Sequence, residues 1–285
     1  MVYSRDMQII DGRKARDFYK AKLIERVAKL SRVPCLAIVQ IGDDPSSVVY
    51  IEQKKKFGAL VGAAVEHIHM PATTSFETLG AKISELNARL DVDGIIIQLP
   101  LPAHLDKILA LNLIDPKKDV DGLCDENQRL LAEGHPHFVP ATAKGVLSLL
   151  DYYGIDPKDK KVAVMGRSRL VGSPLAELFR LRGATVSVCH SKTPNTPEIA
   201  KTADILVVAI GKPHLVDAQY LKQGVVVIDV GLSRTEAGLC GDVDPEAARK
   251  LSSAYTPVPG GVGPMTVLSL FDNLISSAQE RVAAR

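Results

Sequence analysis

Lys161-Val162-Ala163-Val164-Met165-Gly166-Arg167-Ser168-Arg169-Leu170-Val171-Gly172-Ser173-Pro174 is the stretch that decides the fold. A short apolar run enters a glycine loop, and the loop opens on a helical pattern over Leu175–Arg182 closed by Gly183. A strand, a glycine loop and a helix N-terminus together hold a pyrophosphate in α/β proteins. The first helical N–H groups are unpaired there and carry the positive end of the helix dipole. Gly166 permits a tight turn, Gly172 lets the helix start close to the sheet, and Ser173-Pro174 suits an N-cap and first-turn pair. The spacing departs from G-x-G-x-x-G, so a plain glycine-rich turn stays open as a reading of this loop alone.

Outward from the loop, Thr185–Cys189, Ile205–Ala209 and Val225–Val230 read as further strands. Turn signals at Thr193-Pro194-Asn195, Gly211-Lys212-Pro213 and Gly224 separate them. The same alternation precedes it, with strands at Cys35–Ile41, Ala64–His69 and Gly94–Ile97. Helical spacing falls between them over Ser46–Leu60 and Ser75–Leu90, with Ser75 as N-cap. Strands separated by helices require βαβ crossovers and a mainly parallel sheet. A bridge over Leu131–Asp159 contains a helix near Thr142–Tyr153, and a last helix is expected over Pro264–Arg285. The fold class is α/β. The 285 residues suit two domains at roughly 150 residues each.

Hydrophobic residues make up 46% and charged residues 24%, which excludes a disordered chain. Lys and Arg number 35 against 33 Asp and Glu, a formal charge of +2. That balance argues against nucleic acid or a membrane surface as a partner recognised by bulk electrostatics. No apolar run suits a transmembrane helix, and Met1–Lys20 lacks a signal-peptide pattern. Cys35, Cys124, Cys189 and Cys240 form no C-x-x-C pair, and their wide spacing reads as free thiols in the cytoplasm.

Several residues carry candidate chemistry. The Thr185–Cys189 strand runs into His190-Ser191-Lys192-Thr193. An acid at this place binds the ribose hydroxyls of NAD; here hydroxyls, an imidazole and an ammonium stand instead, with Arg167 able to approach. That chemistry favours NADP, although His190 and Lys192 also read as solvated loop residues. Tyr50 and Lys54, four apart, share a helix face. A phenol beside an ammonium can handle protons, and a dry site lowers the lysine pKa, although the same spacing also occurs on wet surface helices. Short-chain dehydrogenases carry Y-x-x-x-K too, but there the nucleotide loop precedes the pair, whereas here it follows. Gln98-Leu99-Pro100-Leu101-Pro102 puts a polar side chain at a strand's carboxyl end, where α/β sheets bind ligands. Asp119-Val120-Asp121-Gly122 offers a carboxylate for an N–H-rich heterocycle; no further cluster at ligand spacing supports a metal. Thr256–Thr266 holds three glycines and three prolines, either a stiff loop that admits a flat ligand or a structural corner.

Taken in order along nearly the whole chain, these motifs resemble the bifunctional methylenetetrahydrofolate dehydrogenase/methenyltetrahydrofolate cyclohydrolase family. They are Tyr50-x-x-x-Lys54, Gly94–Pro102, Lys118–Gly122, Gly166-Arg-Ser, Val171–Pro174, Cys189–Thr193, Asp229-Val-Gly231, Gly241-Asp-Val243 and Pro257–Thr266. The resemblance implies two α/β domains facing across a cleft. Residues 1–140, with the helix 264–285 packed back on them, would form the catalytic domain, and 141–263 a Rossmann-like NADP-binding domain. It implies oxidation of 5,10-methylenetetrahydrofolate by NADP+ and then hydrolysis to 10-formyltetrahydrofolate, in one-carbon metabolism, by a homodimer.

The resemblance also assigns residues. Lys54 matches the catalytic lysine, Gln98 the glutamine that holds it, Tyr50 the tyrosine stacked on the folate, and Asp121 the acid that binds the pterin. Leu99, Pro100, Pro259, Gly260, Gly261 and Gly263 would border the substrate. Gly166, Arg167, Ser168, His190, Ser191 and Leu232 would contact NADP; no metal is implied. The chain departs from the family at Ile51-Glu52-Gln53, after Asn127, and at Ala141 and Ala143. A dehydrogenase with weak cyclohydrolase activity and a non-catalytic nucleotide-binding regulator are the alternatives.

Overall fold

Strands that read as unbroken apolar runs need cover on both faces, and helices returned by right-handed crossovers supply it. The computed structural model describes residues 7–236 and 238–283; the expectations for Met1 to Asp6 and for the last residues of the C-terminal helix lie outside them. In chain order the elements are β1 (Gln8–Ile9), α1 (Gly12–Val27), β2 (Cys35–Ile41), α2 (Pro45–Val61), β3 (Ala64–Met70), α3 (Phe76–Ala88), β4 (Gly94–Ile97), α4 (Lys107–Leu111), α5 (Asp125–Ala132) and α6 (Ala141–Tyr152). There follow β5 (Lys161–Met165), α7 (Gly172–Leu181), β6 (Thr185–Cys189), α8 (Thr196–Thr202), β7 (Ile205–Val208), β8 (Val225–Asp229), β9 (Ser233–Thr235), β10 (Gly238–Cys240), α9 (Pro245–Leu251), β11 (Ser252–Tyr255) and α10 (Val262–Ala283).

The chain forms two compact units. One comprises Phe18–Ala141 and the described residues from Val267 onward; the other comprises the described residues up to Asp17 and Thr142–Thr266. In the first unit β3, β2 and β4 form a parallel sheet with β2 in the centre. Asp44 starts α2 by accepting from the Ser46 and Ser47 amides at 2.9 and 3.1 Å, and Gly62 ends it in the left-handed region at φ 81°. Ser75 caps α3 as its sequence predicts, accepting from the Thr78 amide at 3.2 Å. Gly94 has no room for a side chain: a Cβ there would lie 2.7 Å from the Val120 methyls and 2.8 Å from Leu274 of α10.

In the second unit a six-stranded parallel sheet runs in the order β1-β11-β8-β7-β5-β6. β5 through β8 follow the strands read from the sequence. β1 and β11 do not: both are short, and β1 joins the edge through Gln8↔Ala254 and Ile9↔Tyr255. The described residues up to Asp17 cluster with this unit. One cap also differs from its expectation. α7 begins at Gly172, and Ser173 is not its N-cap. The Ser173 hydroxyl donates to the Arg167 carbonyl at 3.1 Å, while Ser168 Oγ accepts from the Val171 and Gly172 amides at 3.3 and 3.5 Å. The hydroxyl that serves the helix start thus comes from inside the glycine loop.

The segment Lys118–Gly122 runs beside β4, with Ile95 donating to the Lys118 carbonyl at 2.7 Å. Lys118 is buried, and its ammonium donates to the carbonyls of Leu86, Asn87 and Arg89 at 2.9, 2.7 and 2.6 Å. These carbonyls end α3, where a cation is favoured. Burial pushes the Lys118 pKa down to about 8. Replacing Lys118→Met leaves those buried acceptors unpaired and should cost roughly 3 kcal/mol, which urea unfolding followed by circular dichroism would measure.

Candidate active site

β4 ends at Ile97, and the amide of Gln98 still pairs with the Val39 carbonyl at 2.8 Å, so its side chain leaves from the carboxyl end of the sheet. Ile51, Phe57, Gly58 and Val61 anchor the buried face of α2. On that helix Lys54 Nζ donates to Gln98 Oε1 at 2.7 Å. The amide of the same glutamine donates from Nε2 to the Leu99 carbonyl at 2.8 Å. A lysine has only donors, so this pair of bonds fixes which end of Gln98 faces it. Gln98 is buried, at 7% exposure, and Lys54 is partly so. Tyr50 lies one turn before Lys54 on the same helix and is 37% exposed; burial of its inner part pushes its pKa up.

The Lys118–Gly122 segment supplies the third group. Lys118 anchors to α3, Val120 is fully buried, and Asp119 accepts from the Cys124 amide at 2.8 Å and from Asn127 Nδ2 at 2.9 Å. Asp119 thereby caps α5, which has no cap from its own Cys124 side chain. Among the described residues the Asp121 carboxylate has no such structural task. Burial pushes its pKa up to about 6, and the Lys54 charge opposes that rise. Reciprocally, burial lowers the Lys54 pKa and the Asp121 charge raises it. A partly dry ammonium, an amide acceptor and a carboxylate that ionises near neutrality suit proton transfer. Sequence reasoning missed Asn273: its Nδ2 donates to the Val120 and Val139 carbonyls at 2.9 Å each and so holds the Asp121 segment. The signal was a lone amide in the apolar stretch Val267–Ile275.

In the second unit the carboxyl ends of β5 and β6 bring Gly166, Arg167, Ser168, His190 and Ser191 together. A Cβ on Gly166 would lie 2.2 Å from the Ala209 carbonyl oxygen, and one on Gly172 would lie 2.2 Å from that of Gly166. Glycine at both positions therefore lets the loop fold tightly at the start of α7. Beyond β6 the His190 amide donates to Thr193 Oγ1 at 3.0 Å and the Lys192 amide to His190 Nδ1 at 3.1 Å. Arg167, Ser168, Ser191 and Leu232, which follows β8, are exposed. The Pro259–Gly263 loop is pinned by Gly261, whose amide donates to the Pro257 carbonyl at 2.7 Å, and by Gly12, whose amide donates to Gly260 at 2.9 Å. Among the described residues no group of three His, Cys, Asp or Glu side chains could hold a metal.

Comparison with known proteins assigns both units. The family described as tetrahydrofolate dehydrogenase/cyclohydrolase matches through its catalytic domain over residues 10–121 and through its NAD(P)-binding domain over residues 140–282. The chain belongs to this family. Among curated relatives it is similar to the bifunctional protein FolD of Desulfovibrio desulfuricans, with 46% identity covering 97% of this chain and all of that protein. Among solved structures it is similar to the bifunctional FolD enzyme of Campylobacter jejuni. Identity there is 40%, the TM-score is 0.94, and coverage is 96% of this chain and 99% of that one. The Trypanosoma brucei enzyme, solved with NADP cofactor and an inhibitor, is 37% identical with a TM-score of 0.91, covering 97% of this chain and 98% of that one.

For this enzyme the electrostatics of Lys54 can be read directly. Lys54 should titrate below the ordinary lysine value, and Asp121→Asn should lower it further, because the substitution removes the charge that favours the ammonium. Nuclear magnetic resonance of labelled lysine side chains would measure both shifts; a rise in the variant would contradict the assignment.

Proposed function

We propose that Lys54, held by Gln98 and facing the charge of Asp121, performs the hydrolytic step of a bifunctional enzyme. The enzyme oxidises 5,10-methylenetetrahydrofolate with NADP+ and hydrolyses the methenyl product to 10-formyltetrahydrofolate. The observation that carries this reading is the 2.7 Å bond from Lys54 Nζ to Gln98 Oε1, beside a carboxylate raised to about 6.

The methenyl carbon belongs to an amidinium cation, so it needs no nucleophilic side chain or metal. Water adds to it, one proton leaves the water, and the ring opens as the carbon–nitrogen bond on the far side breaks. Neutral Lys54 takes one proton from the adding water and, as ammonium, gives it to the nitrogen released; the second water proton leaves to solvent as the formyl C=O forms. Across hydrolysis one water is consumed and one proton is released. Burial lowers the Lys54 pKa from its ordinary value and so raises the share of the neutral form. Gln98 keeps the amine aimed, Tyr50 stacks on the folate, and ionised Asp121 accepts from the amino and ring N–H groups of the pterin. Leu99 and Pro100 border the substrate.

The residues beyond β5 and β6 fit NADP. Gly166 lets the loop close against the Ala209 carbonyl at the start of α7, and no carboxylate stands at His190–Thr193 to repel a 2′-phosphate. When bound, NADP+ supplies the hydride acceptor. Gly166, Ser168 and the start of α7 offer N–H groups and a hydroxyl to the pyrophosphate, and Leu232 offers its backbone. Arg167, His190 and Ser191 bind the adenosine ribose and its phosphate. We further propose that the enzyme acts in the cytoplasm as a homodimer, on the resemblance carried by its motifs.

Lys54→Met should abolish cyclohydrolase activity and spare part of the dehydrogenase activity, measured separately by loss of methenyl absorbance and by NADPH formation. Equal loss of both would overturn the separate role. Arg167→Ala and Ser191→Ala should weaken NADP+ binding far more than NAD+ binding; an unchanged preference in titration calorimetry would contradict recognition of the 2′-phosphate.

A further inference from the structure

Two short motifs, Asp229-Val230-Gly231 and Gly241-Asp242-Val243, have no part in the chemistry above. In the structure they interlock. A Cβ on Gly231 would lie 2.2 Å from the Asp242 carboxyl carbon, and one on Gly241 would lie 1.9 Å from Asp229 Oδ2. Each aspartate therefore fills the space that the other motif's glycine leaves. Both carboxylates are fully buried.

Their bonding differs. Asp229 accepts from the amides of Gly231, Asp242 and Val243 at 3.0, 3.1 and 3.0 Å, so it braces the second motif and the turn after β8. Asp242 reaches further. Its Oδ2 accepts from the Ile210 amide at 2.6 Å and from the Gly211 amide at 2.8 Å, while its Oδ1 has no hydrogen-bond partner among the described residues. Among those residues the loop amides orient this carboxylate by hydrogen bonding.

The loop they hold has a special place in the sheet. β5 is flanked by β6 on one side and β7 on the other, so the crossover direction reverses between β5 and β7. Parallel sheets bind dinucleotides outside the carboxyl ends of their strands at that reversal, one nucleotide on each side. Ala209-Ile210-Gly211 leaves β7 there, and the Ala209 carbonyl faces Gly166. With the adenosine half over β5 and β6, this loop and the turn after β8 receive the nicotinamide half. Burying two carboxylates side by side is costly, and burial pushes the Asp229 pKa up to about 7. An apolar pair would pack more cheaply, but it could not hold two loop amides.

We infer that Asp242, braced by Asp229, is a positioning residue for hydride transfer: it sets the Ile210–Gly211 loop in the shape that receives the nicotinamide half of NADP+, and it serves the dehydrogenase alone. The inference rests on the cofactor reading above.

The test measures both activities in Asp242→Ala, Asp242→Asn and Val243→Ala beside the native enzyme, with thermal unfolding of each. Asp242→Ala should raise the KM for NADP+ roughly tenfold or more, since loop misplacement is felt at the reacting atoms. Cyclohydrolase activity, assayed on methenyltetrahydrofolate without cofactor, should stay within about twofold, as for independent sites. Asp242→Asn keeps an oxygen that can accept from both amides and should largely restore the KM. Val243→Ala, which only thins the buried core, should lower the melting temperature and leave the KM for NADP+ unchanged. If Asp242→Ala does not fold, Gly211→Ala replaces it. Gly211 has φ +73° with open space around it, so the alanine fits but strains the loop, and the same rise in KM is expected. An unchanged KM in the folded variants, or a parallel loss of both activities and of stability, would overturn the inference. A native enzyme that does not reduce NADP+ would instead overturn the cofactor reading, and the inference with it.

Discussion

A lysine ammonium drawn out of water must find an acceptor, or it loses its proton or its place. Much of the first unit is arranged around that requirement at Lys54. α2 is anchored by its apolar face, so Lys54 leaves the helix at a fixed height. β4 ends where Gln98 can present its oxygen at 2.7 Å. The segment beyond it delivers Asp121 only because its other members are committed elsewhere: Lys118 to the end of α3, Asp119 to the start of α5, and Val120 to the core. Three structural side chains in a row thus precede the one left for chemistry, and the turn closed by the Gly122 amide on the Asp119 carbonyl at 3.0 Å presents it.

The second unit meets a different constraint. All strands of its main sheet are parallel, so every loop at their carboxyl ends must turn beside another loop. Close approach is then obligatory, and glycine is the residue that permits it. Gly166 lies against the Ala209 carbonyl, Gly172 against that of Gly166, and Gly231 against Asp242. The glycines in these motifs mark close contacts between loops, and buried carboxylates satisfy the amides that such crowding would strand.

Much of this was legible in one dimension. Apolar runs bounded by turn residues predicted β2, β4 and β6 over the residues that form them, and Ser75 announced the start of α3. Tyr50, Lys54, Gln98 and Asp121 were singled out by local pattern and by resemblance. The misses share a cause. β1 and β11 span two and four residues, too short for any periodicity, and exist because a sheet edge was available. Ser173 looked like an N-cap by position, yet the tight contact of Gly172 with Gly166 gives that work to Ser168. Asn273 is a polar residue in an apolar helix, and its partners at Val120 and Val139 are far away along the chain.

By itself the sequence determined the α/β class, most strand and helix limits, and the residue types at the reactive positions, because these depend on neighbours a few residues away. Only the tertiary structure decided that Lys54 meets Gln98 and feels Asp121, and that Asp229 and Asp242 fill the spaces beside each other's glycines. It also showed that the first described residues complete the second unit's sheet. The physical reason is range. Propensity and capping act within a turn or two, whereas desolvation, hydrogen-bond satisfaction and steric exclusion depend on whatever the folded chain brings alongside.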